Sequence, residues 1–274
     1  MSVKRFVVAQ VSDLHLDRER PYAWRHLERA GGVLRERAPG LGPVDLLVVS
    51  GDLTDDGFKR PGDLALAKAA VEAAFEGCAK EVWFLPGNHD VGDFVGISEN
   101  GVTSERVAAW REGVGPDCMA MEWGGWLLLG IDTLLVGSGL AEEVEQLAWV
   151  RERVSGWAGQ VGLFSHAPLV MEDWREGVGP ATGYWLPGEA GRLALLEALG
   201  REPAFVASGH VHRCRLGGRW RWCPPLMGTH VRASYFRDEP ESYQTGLLVH
   251  KLRRDDDSLV ELVEMGIETR VFEV

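Results

Sequence analysis

Five short stretches hold most of the side chains able to do chemistry: Asp13-Leu14-His15, Gly51-Asp52-Leu53-Thr54-Asp55, Gly87-Asn88-His89-Asp90, an isolated His166, and Gly209-His210-Val211-His212. Carboxylate oxygens and imidazole nitrogens together suit first-row divalent metals such as manganese, iron, cobalt or zinc. His15, His89, His166, His210 and His212 are five of the eight histidines, a concentration that chance would scatter. Singly, each stretch has an ordinary explanation. Gly-Asp after an apolar run is common turn chemistry, a lone histidine after a strand is more often a core or surface residue, and Asp-x-His puts two side chains on one side of any extended segment. Their shared context makes the set specific, because the stretches follow apolar strands.

Those strands can be read in order. Phe6 to Val11 runs into Ser12-Asp13; Asp45 to Ser50 is a short Val- and Leu-rich run closed by Gly51-Asp52; Glu81 to Leu85 leads into Pro86-Gly87-Asn88. Runs of this length and composition fit strands covered on both faces. Helices are expected between them, over Tyr22 to Ala38, stopped by Pro39-Gly40, and over Pro61 to Glu76, which is rich in Ala and Leu. Alternating strands and helices with polar residues at one strand end fit a parallel sheet, whose ligands bind at that end.

Further on, a helix is expected over Ser104 to Glu112. Strands Met119 to Trp123 and Trp126 to Ile131 are joined by Gly124-Gly125, a strong hairpin signal. An amphipathic helix over Glu142 to Val154 carries Val144, Leu147, Ala148 and Val154 on one side. Gln160 to Phe164 reads as a strand ending at His166, and Ala204 to Ala207 as one ending at Gly209-His210, with a helix over Glu189 to Leu199 between them. Pro168 to Pro187, with Trp174, Tyr184 and Trp185 and no clear period, reads as a long loop of the lid type. In the tail, Arg213 to Cys223, Tyr243 to Leu252, Ser258 to Met265 and Thr269 to Val274 alternate like antiparallel strands. The second half is expected to form a second sheet packed on the first.

A length of 274 residues suits one large domain or two small ones. No linker or repeat divides it, so a single domain over 1–274 is expected, with a lid-like insertion around 168–187. Acidic side chains number 41 against 29 basic, a formal charge of -12. Such a surface repels long nucleic acid. Phe6 to Val11 is too short for a signal peptide or a membrane span, so a cytoplasmic protein without membrane attachment is expected. Cys78, Cys118, Cys214 and Cys223 form no Cys-x-x-Cys pair and are read as reduced thiols. Whether the chain forms a homo-oligomer stays open.

The five stretches resemble the pattern of the calcineurin-like metallophosphoesterases: Asp-x-His, Gly-Asp-x-x-Asp, Gly-Asn-His-Asp/Glu, a lone His, and Gly-His-x-His. The resemblance implies a four-layer α/β sandwich, two mixed β-sheets flanked by helices, holding two divalent or mixed-valence ions of manganese, iron or zinc. It implies that Asp13, His15, Asp52 and His212 hold one ion and that Asp52, Asn88, His166 and His210 hold the other, with Asp52 shared. Two cations about 3.5–4 Å apart can hold a hydroxide and both oxygens of an in-line displacement at phosphorus. His89 resembles the family's non-ligand histidine, which contacts the phosphate and protonates the leaving oxygen. Asp55 is expected to orient His89. Asp90 is assigned to a helix cap.

Protein phosphatases of that family carry an arginine directly after the second aspartate of Gly-Asp-x-x-Asp, where this chain has Asp56. The sequence looks more like the bacterial phosphodiesterases acting on cyclic nucleotides or glycerophosphodiesters, so a small phosphodiester is the expected substrate. A phosphomonoesterase or nuclease of the same fold is the alternative. A non-catalytic scaffold is disfavoured because every ligand position and His89 are filled. Trp174, Tyr184 and Trp185 either stack on a base or other apolar leaving group, or pack the loop onto the sandwich or make a subunit contact. Arg175, Arg213 and Arg232 are read as solvated rather than placed in the site.

Overall fold

The computed structural model describes residues 5–19, 21–37, 43–171, 183–212, 214, 220–223, 246–253 and 258–264. Strands β1 (Arg5–Val11) and β2 (Val44–Ser50) are apolar because both of their faces are covered. Ala9, Val11, Leu47 and Val49 lie in a cluster with Leu27, Ala30, Leu64, Ala67 and Val71 of helices α1 (Pro21–Arg37) and α2 (Gly62–Ala74). Val8, Leu46 and Val48 alternate with them and lie instead in the layer between two sheets.

Strand β3 (Ala79–Leu85) runs parallel to β2 and leads into the one-turn helix α3 (Asn88–Val91), followed by α4 (Ser104–Gly113), whose Val107 and Trp110 complete the first helical layer. The hairpin of β4 (Met119–Trp123) and β5 (Trp126–Gly130) turns on Gly124-Gly125, both at positive φ. After α5 (Ala141–Val154) come β6 (Gln160–Phe164), α6 (Glu189–Leu199), β7 (Phe205–Ser208) and β8 (Trp220–Trp222). Their sheet has the order β4-β5-β6-β7-β8, with the last four strands parallel. Leu127, Leu129, Val161, Leu163 and Val206 cluster with Val150 of α5 and Leu195 and Leu199 of α6. Between the sheets, Phe6, Val8, Leu46, Trp83 and Leu85 meet Trp126, Leu128, Phe164 and Phe205. Helix, sheet, sheet and helix thus form the four expected layers.

Three expectations are corrected. The tail does not extend the second sheet: β9 (Gly246–Arg253) pairs antiparallel with β1, and β10 (Ser258–Glu264) with β9, so the first sheet reads β10-β9-β1-β2-β3. The reason is the open side of β1, whose buried backbone groups need a ladder partner. β8 pairs parallel with β7, where an antiparallel strand was expected; residues 213 and 215–219 lie outside the described residues, and Cys214 and Cys223 are free thiols, as expected. In α5 the inward residues are Glu143, Gln146 and Val150, while Val144 is 68% exposed. Glu143 turns in because its carboxylate accepts from the N–H groups of Gly137 and Gly139, and Gln146 because it pairs with the backbone of Asp132. The strand expected over Thr269 to Val274 lies outside the described residues.

A polar chain crosses the layer between the sheets. Arg221 Nη1 donates to His250 Nδ1 (3.1 Å), His250 Nε2 to Gln10 Oε1 (3.0 Å), Gln10 Nε2 to Ser50 Oγ (2.9 Å), and Ser50 Oγ to the Val11 carbonyl (3.2 Å). Arginine only donates, so the chain has one direction and His250 accepts at Nδ1. Burial, and then the charge of Arg221, hold His250 well below its ordinary pKa, while burial pushes Arg221 down to about 10.

Candidate metal centre

Parallel strands of both sheets deliver polar residues to one edge of the sandwich: Asp13 after β1, Asp52 after β2, Asn88 after β3, His166 after β6 and His210 after β7. Among the described residues, Asp13, His15, Asp52, His210 and His212 are the non-glycine residues with positive φ, at 55°, 44°, 49°, 65° and 54°. Each such conformation costs about 1–3 kcal/mol and persists only where the surroundings impose it. Here the first two loops are laced together: Asp13 N donates to Gly51 O (3.0 Å), and Leu14 N and His15 N both donate to Asp52 O (2.9 Å). Two motif glycines are fixed by close approach. A Cβ on Gly51 would lie 2.2 Å from His166 Nδ1, and one on Gly209 would lie 2.5 Å from Asp13 Oδ2.

All nine residues singled out above converge. In one group, His212 Nε2 lies 3.1 Å from Asp13 Oδ1, His15 Nε2 3.4 Å from Asp52 Oδ2, and the two Nε2 atoms 3.3 Å apart. In the other, His166 Nε2 lies 3.3 Å from Asp52 Oδ1 and 3.2 Å from Asn88 Oδ1, and the ring of His210 is 4.9 Å from that of His166. Asp52 therefore offers one carboxylate oxygen to each group. His89 lies beside the first, its ring 4.6 Å from His15.

Backbone carbonyls, which only accept, set the histidine tautomers. Ser50 O takes the Nδ1 proton of His166 (3.0 Å), leaving Nε2 as its donor atom for a cation. Tyr184 O takes the Nε2 proton of His210 (2.9 Å), leaving Nδ1. Asp55 O lies 2.6 Å from His89 Nδ1. Asp55 thus contacts His89 through its carbonyl, while its carboxylate lies 3.4 Å from His15 Nδ1. Asn88 is oriented by Asp93, whose Oδ1 accepts from Nδ2 (3.1 Å) and so turns the amide oxygen toward His166.

Burial alone would raise both central aspartates, but neighbouring imidazoles reverse it. His212 brings Asp13 down to about 2, and His166, His89 and His15 bring Asp52 well below the usual carboxylate range. His166 moves oppositely: burial would lower it, and Asp52 lifts it to about 9. Burial, joined by the charge of His166, pushes His210 down to about 3. Burial also works against His89, but Asp52 and the Asp55 carbonyl raise it above its ordinary value. Two buried carboxylates that stay ionised, set among imidazole nitrogens, form a donor set that suits divalent cations.

Asp90 caps α3, as expected, by accepting from Gly87 N (2.9 Å), and it also takes Leu53 N (3.0 Å), Thr54 N (2.9 Å) and Thr54 Oγ1 (2.8 Å). It ties the Asp52 loop to the Asn88 turn. Burial, followed by Asp52, raises its pKa to about 6. Trp185 packs on His210 and Tyr184, with ring centroids 5.3 and 4.9 Å apart, which favours loop packing over stacking on a leaving group. Trp174, Arg175, Arg213 and Arg232, and the middle of the 168–187 loop, lie outside the described residues. Sequence reasoning missed Asp93, since an acid in a glycine-bearing loop carries no signal of its partner.

A family model described as calcineurin-like phosphoesterase matches residues 6–214. Solved structures of similar fold include purple acid phosphatase PPD1 from yellow lupin (Lupinus luteus) seeds, at TM-score 0.59 and 11% identity, covering 99% of this chain and 53% of that one. A dimetal phosphatase from Danio rerio aligns at TM-score 0.56 and 15% identity, covering 95% and 96%. GAP50, described as the anchor in the inner membrane complex of Plasmodium, aligns at TM-score 0.56 and 14% identity, covering 98% and 87%. At these identities the likeness is one of fold, and this chain spans about half the length of the lupin protein. No curated protein matches the chain. Among the described residues no helix is long and apolar enough to cross a membrane.

Proposed function

Because the chain belongs to the calcineurin-like phosphoesterase family, we propose that it is a two-metal hydrolase of a small phosphodiester, of the cyclic-nucleotide or glycerophosphodiester type. The observation that carries this reading is Asp52, with one oxygen 3.4 Å from His15 and the other 3.3 Å from His166. In the proposal Asp13, His15, Asp52 and His212 hold one ion, and Asp52, Asn88, His166 and His210 the other. Manganese, iron and zinc all suit these donors. When bound, such ions supply positive charge to the phosphoryl oxygens and a water acidic enough to serve as nucleophile near neutral pH.

The chain's own side chains do the rest. His89, its Nδ1 held by the Asp55 carbonyl, keeps Nε2 for the leaving oxygen and acts as general acid. Asp55 and Asp90 position: one fixes the His89 ring, the other locks the two ligand loops together. The charge inventory supports a diester. A monoester dianion calls for further cations at the phosphate, yet among the described residues Arg60 is engaged by Asp17 and Asp63, Arg18 by Asp63, and Lys59 by Asp56, which stands where protein phosphatases carry arginine.

Manganese-loaded protein assayed on bis(p-nitrophenyl) phosphate and p-nitrophenyl phosphate tests the reading. Faster turnover of the diester is expected. Turnover of the monoester alone would replace it with a phosphomonoesterase. Turnover of neither, with metal bound, would leave a scaffold; the fold itself permits that outcome, since GAP50 is described as an anchor.

A further inference from the structure

Tyr184 sits where the described part of the chain resumes after residue 182, and its ring and hydroxyl lie over the second ligand group. Its ring centroid is 5.1 Å from that of His210, its carbonyl accepts from His210 Nε2 at 2.9 Å, and its hydroxyl oxygen is 3.4 Å from Asn88 Nδ2. Trp185 packs edge-on against it at 87°. The side chain is thus held on several sides while the residue stays 38% exposed.

The hydrogen-bond roles follow from Asn88. The Asp93 carboxylate can only accept, so the Asn88 nitrogen faces Asp93 and Tyr184 as a donor. The Tyr184 oxygen therefore accepts from Asn88, and its own O–H is left to donate. Among the described residues it has no acceptor. On the opposite flank, His89 lies against His15 in the first group.

We propose that Tyr184 is a substrate-contacting residue, donating its hydroxyl hydrogen to a non-bridging phosphoryl oxygen on the Asn88 and His210 side while His89 serves the other flank. This rests on the phosphoesterase reading above. A neutral donor there suits the single negative charge of a diester phosphate.

The test compares wild-type protein with Tyr184→Phe, which keeps the ring against His210 and the backbone carbonyl. Both are loaded with manganese, assayed for metal content and titrated calorimetrically with inorganic phosphate. Equal metal content with about tenfold weaker phosphate binding in the variant is expected, the worth of one hydrogen bond to a charged group. Phosphate affinity within about twofold of wild type overturns the proposal, that margin being well under the energy of one such bond. So does loss of metal from the variant, which would make Tyr184 a support for Asn88. Wild-type protein that binds phosphate through Tyr184 but cleaves neither ester would refute the hydrolase reading while upholding this contact; wild-type protein that takes up metal but no phosphate would refute both.

Discussion

His15 and His212 are 197 residues apart in the chain, yet their Nε2 atoms lie 3.3 Å from each other. Two lone pairs do not rest at that distance without a proton or a cation between them. Asp13 and Asp52 supply the negative charge that a cation there needs. The folded site should therefore bind metal that the unfolded chain cannot. Manganese-loaded protein should melt above protein stripped with a chelator, by an amount worth about 2.7 kcal/mol when free metal is 100 times its dissociation constant. Identical melting by scanning calorimetry would contradict this.

His89 lies beside the ligands without belonging to either group. His89→Asn should keep the full metal content and lose about 10²- to 10⁴-fold in kcat, the range for a general acid. Elemental analysis together with steady-state kinetics checks both halves. A variant that loses metal would make His89 a ligand.

Gln10 joins His250 to Ser50 across the inter-sheet layer. Gln10→Leu leaves the His250 N–H without its acceptor in a dry interior. Each such buried orphan costs about 1–3 kcal/mol, so urea unfolding should show a loss of about 2 kcal/mol with metal content unchanged. A loss below about 0.5 kcal/mol, the level of an ordinary surface substitution, would show the chain to be incidental.

Asp132, two residues beyond β5, is fully buried. Its Oδ1 accepts from Leu134 N at 2.8 Å, and its Oδ2 has no hydrogen-bond partner among the described residues. Burial, followed by the charge of Asp117, raises its pKa from 3.8 to about 8. Between those values the folded state holds a proton that the unfolded state releases. Its contribution to stability is therefore full below 3.8 and is lost as pH rises through about 8. Asp132→Asn removes that dependence, so the stability of the variant relative to wild type should climb from pH 5 to pH 9 in urea titrations. A constant difference would contradict the assignment.

The site was legible because its ligands follow apolar strands at tight spacing, and the strands were legible because both faces are buried. Phe6, Val8, Ala9, Val11, residues 46–49, and Val161, Leu163 and Phe164 are all buried. What failed was long-range or side-chain-specific. Nothing in Leu247 to Leu252 says which sheet has an open edge, so β9 was assigned to the wrong one. Val144 read as core by its type, but Glu143 and Gln146 turn inward to satisfy backbone groups at 137, 139 and 132, and hydrophobic periodicity does not register that demand. Asp55 was placed beside His89, yet only coordinates distinguish its carbonyl from its carboxylate. The partnership of Gln10 and His250 spans 240 residues and leaves no local trace.

The central claim is that one carboxylate serves two ions. Elemental analysis of Asp52→Ala beside wild type tests it most directly. The account predicts two metals per chain in the wild type and neither in the variant, because both groups lose their common ligand. Two metals retained in Asp52→Ala would contradict it.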